Sequence, residues 1–294
     1  VYSDTRADRR RTTFASDEDL VEYDAEAFII DEDNIVIVSR DGWIKRQKDV
    51  KDLSTTRLRE GDEVLAAVGG STRATLVLFT THGVAYTCRF IDVPASTGYG
   101  EPVQRQFKFK DGERVIAVMS LDERVSPDMQ PAREGETPAR HAFAATSDGY
   151  ALRFSLAPYI EPSTRAGRKF VKLPDGVEVV GVAQVTGDET IIAATREARA
   201  MLCPCGEVNV LSGPGRGVIL IKIDEKKDRL LGFVASKGDR DLMVVETSRG
   251  AEQTVSTAKY DVTSRGGKGR ELLQRGSFTR VVPPAPQVVG PTDS

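Results

Sequence analysis

The chain is poor in the residue types from which most catalytic sites are built, with only two histidines, His82 and His141, and three cysteines, Cys88, Cys203 and Cys205, in 294 residues. An odd, sparse cysteine set excludes a disulfide framework and points to a reducing compartment. Cys203-Pro204-Cys205 offers at most two thiolates, with too few histidines to complete a metal site, so the pair reads as half-buried strand cysteines and no metal is expected. No apolar run approaches the roughly 20 residues that a membrane helix requires, so no membrane partner is expected. The sequence opens on Val-Tyr-Ser-Asp without a methionine, which predicts a piece of a longer protein.

Positive charge is also scarce overall, since the formal net charge is −3. Its distribution is uneven. Residues 1–33 hold 11 acids and 4 arginines, a balance of −7, which leaves +4 on residues 34–294. An acidic leader before a mildly basic body is compatible with a polyanion partner, because local field governs phosphate contact. The plain reading of the leader is a linker.

What the chain has in quantity is an internal repeat. An apolar strand ends in Ser or Thr, and three residues later comes Gly or Ala. This occurs at Ser39 to Gly42, Thr80 to Gly83, Thr146 to Gly149, Thr195 to Ala198 and Thr247 to Gly250. A polar turn with glycine between apolar runs is a hairpin signal, because glycine accepts the positive φ of the turn. Further on lies a Gly-rich or basic knot: Gly98-Tyr99-Gly100, Arg165-Ala166-Gly167-Arg168-Lys169, Gly213-Pro214-Gly215-Arg216-Gly217 and Arg265-Gly266-Gly267-Lys268-Gly269. A charged turn such as Asp111-Gly112 or Asp175-Gly176 then leads into another apolar strand.

The turn positions 42, 83, 149, 198 and 250 are 41, 66, 49 and 52 residues apart. The long interval contains Asp122 to Arg140, rich in proline and charge, which predicts an exposed loop. About 50 residues with about four short strands is the size of a propeller blade. The expected fold is therefore all-β and propeller-like, with about five four-stranded blades. Their expected bounds are 34–70, 71–121, 141–187, 188–237 and 238–285, followed by a tail at 286–294. A single such sheet cannot bury both faces, whereas neighbours in a ring bury them for each other.

Gly42-Trp43-Ile44-Lys45-Arg46 resembles the Gly-Tyr-Val-Lys-Arg turn and strand found in the C-terminal domains of the A subunits of bacterial type IIA topoisomerases, DNA gyrase and topoisomerase IV. Asp8-Arg9-Arg10-Arg11-Thr12, Glu18-Asp19-Leu20 and Asp31-Glu32-Asp33 resemble the junction with the cleavage core in those subunits. Thr263-Ser264-Arg265-Gly266-Gly267-Lys268-Gly269 matches the gyrase box Gln-Arg-Arg-Gly-Gly-Lys-Gly at five of seven positions. The resemblance implies a β-pinwheel whose blades exchange strands and whose rim carries double-stranded DNA. It also implies a non-catalytic role, with the nucleophilic tyrosine in the cleavage core of the same polypeptide. ATP and magnesium would be used elsewhere, with an ATPase B subunit in a heterotetramer, and the protein would sit on the chromosome in the bacterial cytoplasm.

The best box stands in the fifth blade, and Arg46 to Glu60 in the first blade has none. Five blades without a first-blade box lean toward topoisomerase IV, with an atypical gyrase as the alternative. Candidate DNA contacts are Arg265, Gly266, Gly267, Lys268, Gly269, Arg216, Arg168 and Lys169 in the knots. Lys45, Arg46, Arg105 and Lys108 lie on expected strands. Lys45 and Arg46 are adjacent on one strand and point to opposite faces, so at most one can meet DNA. Arg105 and Lys108 alternate with Phe107 and Phe109, as on a strand with apolar residues inside.

Two rival functions are weaker. A nucleotide-binding loop requires Gly-Lys followed by Ser or Thr between strand and helix, whereas Lys268 is followed by Gly269. A propeller that scaffolds proteins would show an apolar or acidic face and no salt-dependent affinity for DNA.

Overall fold

The computed structural model describes residues 29–291 except 225 and 239. All the sheets lie within Asp31–Ser294. The junction motifs at Asp8 to Thr12 and Glu18 to Leu20 lie outside the described residues. The described residues form strands and short 3-10 turns, and none of their helices is long and apolar enough to cross a membrane.

Each blade begins as a hairpin. The pairs are β1 (Asp33–Ser39) with β2 (Trp43–Gln47), β4 (Thr75–Thr80) with β5 (Val84–Arg89), and β8 (His141–Thr146) with β9 (Tyr150–Phe154). They continue with β12 (Thr190–Thr195) and β13 (Arg199–Pro204), then β17 (Met243–Thr247) and β18 (Glu252–Val255). At every hairpin the amide of the turn residue donates to the carbonyl of the strand-ending Ser or Thr, as from Gly149 to Thr146 at 2.9 Å. Ala198 holds the left-handed turn position at φ 56°, where the other four hairpins carry glycine.

A third strand then pairs with the other edge of the first. These are β3 (Val64–Ser71), β7 (Val115–Ser120), β11 (Val179–Val185), β16 (Leu230–Ser236) and β20 (Phe278–Val282). All five of these pairings slip register near the Ser or Thr that ends the first strand, a bulge that increases twist. The third strands of successive blades lie against one another. At three junctions a third-strand amide also donates to the preceding blade's hairpin turn: Val179 to Thr81, Leu230 to Ser147 and Phe278 to Arg196, at 2.8–2.9 Å.

The core consists of layers between blades rather than one centre. Ala142 and Ala144 of β8 face the second blade, whereas Phe143 and Ala145 face the fourth. Both sides of the middle blades are thus buried, which explains why their strands read as unbroken apolar runs. Between the second and third blades, Phe79 meets the rings of Phe154, Tyr159 and Phe170 edge-on at 5.1–6.0 Å. Such pairs are worth about 0.5–1.5 kcal/mol each beyond area burial.

The outer strand of each of the first four sheets comes from the next blade. The knot segment returns along the outer edge of the preceding hairpin as β6 (Glu101–Pro102), β10 (Arg168–Lys169), β15 (Val218–Ile219) or β19 (Arg270–Glu271). These pair antiparallel with β2, β5, β9 and β13. In the third sheet β14 (Val210–Leu211) also enters parallel to β9 before the chain turns back. The fifth sheet has three strands, β18-β17-β20, among the described residues. The first sheet gains β21 (Val288–Val289) from the tail, parallel to β3. The 286–294 segment thus supplies a strand to the first blade.

The expectation of an exposed loop at 122–140 holds only for its middle. Asp122, Ser126 and Met129 are buried, and the Asp122 carboxylate accepts the Ser71 amide at 2.8 Å and pairs with Arg124. Arg124 in turn reaches Asp33 at 2.6 Å, so the insertion is tied to the first blade.

Candidate nucleic-acid interface

The knots are joints before they are surfaces. Gly217 sits at φ +80°, and a Cβ there would lie 2.1 Å from the Ala151 carbonyl of the preceding blade. Gly100, Gly167 and Gly269 occupy the same place, each with positive φ and its own close approach to the previous hairpin. The glycine therefore turns the incoming chain and lets it lie on the neighbouring strand.

Arg265 and Arg216 in the knots serve the same joint, whereas Arg168 bonds within its own blade. Arg265 donates from Nε to the Glu207 carbonyl at 2.8 Å and from Nη1 to the Ile219 carbonyl at 3.0 Å, while its amide meets the Glu207 carboxylate at 2.9 Å. Arg168 Nη1 donates to the Pro158 carbonyl. Arg216 pairs with the buried Asp148 at 3.0 Å and lies 4.0 Å over the Tyr150 ring, though it stays exposed. Gly266 and Gly267 shape the fifth-blade knot, and Lys268 stands exposed at its tip.

Three expectations need correction, those for Lys45, for Arg105 and for the cysteine pair. Lys45 is 1% exposed, and its ammonium donates to the carbonyls of Arg57 at 2.6 Å and Gly98 at 2.8 Å, so it has no face for DNA. Arg46, half-buried, donates to the Val93 carbonyl and to Asn34, at 3.1 and 2.8 Å. The segment bearing Arg105 is a 3-10 turn, Val103–Arg105, rather than a strand, because Phe107 and Phe109 fold onto the Tyr86 ring at 5.0 and 4.8 Å. Arg105 is exposed but paired with Glu101 at 2.7 Å. Cys203 and Cys205 are fully buried, not half-buried, and burial pushes their thiols up to about 12 and about 11.

Exposed cations remain in a regular place, where Lys108, Arg216 and Lys268 were candidates and Lys172, Lys222 and Arg165 were not. The amides of Lys108, Lys172 and Lys222 donate to the knot carbonyls of the next blade, Arg165, Gly215 and Gly267, at 2.7–3.0 Å. Each of these lysines is exposed beside a knot that carries another exposed cation: Arg165, Arg216 or Lys268. Lys222 and Lys268 line one surface cleft with Arg199 and Lys227. Lys169 is exposed on β10. The signal was present in the spacing, since Lys172 and Lys222 each follow their knot glycine by five residues. A single lysine in a loop otherwise looks like any solvated charge.

Known proteins share this repeat. The family model described as the DNA gyrase C-terminal domain, β-propeller, matches residues 74–122, 141–186 and 189–237, the second to fourth blades. The DNA gyrase A protein of Aminobacterium colombiense is 30% identical over 272 residues, covering 87% of this chain and 31% of that protein. Its Escherichia coli counterpart is 24% identical over 273 residues, with 89% and 29% covered. The chain thus spans about 30% of the length of these relatives. Among solved structures, the C-terminal domain of DNA topoisomerase IV superposes with a TM-score of 0.74 at 18% identity, covering 86% of this chain and 78% of that one. The DNA gyrase A C-terminal domain gives 0.59 at 19%, with 86% and 83% covered. At those identities the likeness establishes the fold.

Proposed function

The chain belongs to the family of DNA gyrase C-terminal β-propeller domains, and from that premise we propose that its rim binds and bends duplex DNA without cutting it. One observation carries the reading. Paired exposed cations, Lys108 with Arg165, Lys172 with Arg216 and Lys222 with Lys268, recur at three successive blade junctions and are held in register by the amide-to-carbonyl bonds. A periodic row of cations suits a phosphate backbone, and such contacts carry no base information. Smooth bending of a 20–30 base-pair site by 40–90° costs about 1–6 kcal/mol, which repeated phosphate contacts would offset.

In the longer protein this domain would present a DNA segment to the cleavage core of the same polypeptide. That core would supply the nucleophilic tyrosine, and a B subunit would supply ATP hydrolysis with magnesium. Such a protein works in the cytoplasm, on the chromosome. We place it with topoisomerase IV, because the first blade lacks a glycine in residues 48–58 and so has no box with which to complete a wrap. The gyrase reading draws on the relatives, which carry that name.

The test is duplex binding by the full chain across a salt series, with end-to-end energy transfer on a fragment of about 40 base pairs, roughly four helical turns. Substituting Lys108, Lys172, Lys222 and Lys268 together by Ala should flatten the salt slope by up to about 3.6, at about 0.9 per phosphate contact. No binding at low salt overturns the proposal. Supercoiling and decatenation assays on the whole enzyme separate the two enzyme types.

A further inference from the structure

The seam between the fifth and first blades is built unlike the four other junctions. Those four have an apolar layer shared by two blades and a strand passed from one to the other. At the seam, the first blade covers Ile37, Val64 and Ala67 with Val50, Leu53 and Leu58 of its own 48–58 segment. That segment occupies the place in the repeat from which the other blades send a strand. It contains no glycine to make the left-handed turn. The fifth blade answers with a side that mixes apolar and charged residues: Val244 and Glu246 lie on the opposite side of β17 from the buried Val245, and Glu246 pairs with Arg280 at 2.7 Å. β18 accordingly takes no fourth strand among the described residues.

What crosses the seam is the tail. β20 ends at Val282, Pro283-Pro284-Ala285-Pro286-Gln287 follows, and β21 then pairs Val288 with Ala67 and Val289 with Val68. Gly69 and Gly290 make room for it, since a Cβ on Gly69 would lie 2.9 Å from the Gly290 Cα. A cleft of about 730 Å³ lies between this tail and the 50–58 segment. Three of the five linking residues are proline. An extended proline-rich run rises about 3.1 Å per residue, so five residues reach roughly 16 Å. Packed sheets stand about 10 Å apart.

We infer that Pro283–Val289 is a strut that sets the width of the seam, and through it the curvature that the rim imposes on DNA. The seam geometry stands on these residues alone, and the consequence for DNA rests on the rim reading. A stiff spacer fixes a distance where a glycine-rich one would leave a broad range. The two-residue β21 is the anchor at its far end.

The experiment places spin labels at Ser54→Cys and Arg249→Cys, both exposed and on the two sides of the seam, with the three native cysteines buried. Distance distributions are compared for the full chain, a chain ending at Val282, the Gly69→Ala variant that crowds the anchor, and one with Pro283, Pro284 and Pro286 all changed to Gly. A narrow distribution in the parent that broadens in the truncated and Gly-substituted chains supports the strut, and Gly69→Ala should broaden it without removing any residue. Unchanged distributions in all three variants overturn it. On the duplex of about 40 base pairs, the same variants should keep low-salt affinity within about twofold while the spread of bend angles widens. If the parent fails to bind DNA, the rim reading falls and the seam distances still decide the strut.

Discussion

The buried ammonium of Lys45 donates to the carbonyl of Gly98 at 2.8 Å, replacing a bond that the other junctions make with backbone. At those junctions the knot carbonyls of Arg165, Gly215 and Gly267 accept the amides of Lys108, Lys172 and Lys222. The first blade sends no strand backward and has no amide in that place, so a side chain from β2 fills it. Lys45 also holds the Arg57 carbonyl at 2.6 Å, which pins the first blade's own segment. Replacing Lys45 by Met should leave both carbonyls short of a donor and cost about 1–3 kcal/mol in urea unfolding. DNA affinity at low salt should stay within about twofold. A large affinity loss with unchanged stability would return Lys45 to the DNA surface.

Gly217 offers a sharper test of the joint. Gly217→Ala combines a left-handed backbone, costing about 1–2 kcal/mol, with a Cβ placed 2.1 Å from the Ala151 carbonyl. Gly61 has nearly the same φ, +79°, with nothing within 4 Å of its Cβ position. Gly61→Ala should therefore show the backbone cost alone, and Gly217→Ala should exceed it by about 1–3 kcal/mol, the usual cost of overpacking. Equal losses in urea unfolding would mean that the close approach relaxes freely.

Within the fifth-blade knot, Arg265 and Lys268 should separate by function. Arg265→Ala strips donors from the Glu207 and Ile219 carbonyls, so its main effect is expected on unfolding. Lys268→Ala removes an exposed charge, and should reduce the salt slope of DNA binding by about 0.9 with stability held within about 0.5 kcal/mol. If Arg265→Ala alone moves the slope and leaves unfolding untouched, the roles are reversed.

The difference between these two residues marks how far the sequence could be read. Hairpins and third strands were legible because their chemistry is local: Thr or Ser at the strand end, glycine at the turn and apolar runs on both sides. The knots were legible as units, but their purpose was not. Whether a guanidinium faces phosphate or a neighbouring blade's carbonyl depends on which strand edge the knot returns to. For Arg265 that edge brings in Glu207, 58 residues away in the chain. Lys45 misled for the same reason, its partner being Gly98, 53 residues on. The tail at 286–294 was not legible as a strand, although Val288 and Val289 close on β3, because a two-residue strand carries no pattern of its own.

His141 gives the third and fourth blades a dependence on pH. Its Nδ1 donates to the Pro138 carbonyl at 3.1 Å, which leaves Nε2 to accept from the Arg153 guanidinium at 3.2 Å. Arg153 in turn donates to the Val208 carbonyl of the fourth blade at 2.6 Å, so the ring helps aim an arginine that joins the two blades. Burial holds the pKa of His141 below its usual 6.5, and the nearby Arg153 charge acts in the same direction. The unfolded chain therefore binds a proton below about pH 6.5, where the folded chain resists it. Stability from this residue is complete above that pH and declines as the pH falls through the window beneath it. The melting temperature should drop between pH 7 and pH 5, and His141→Gln, which keeps an acceptor without a titrating ring, should remove that part of the slope. The carboxylates of Asp122 and Glu189 are held below their ordinary values despite burial, by hydrogen bonds from Arg124 and from the Thr186 and Gly187 amides. Their losses belong to a lower pH range, so a slope unchanged by His141→Gln would place the sensitive group elsewhere.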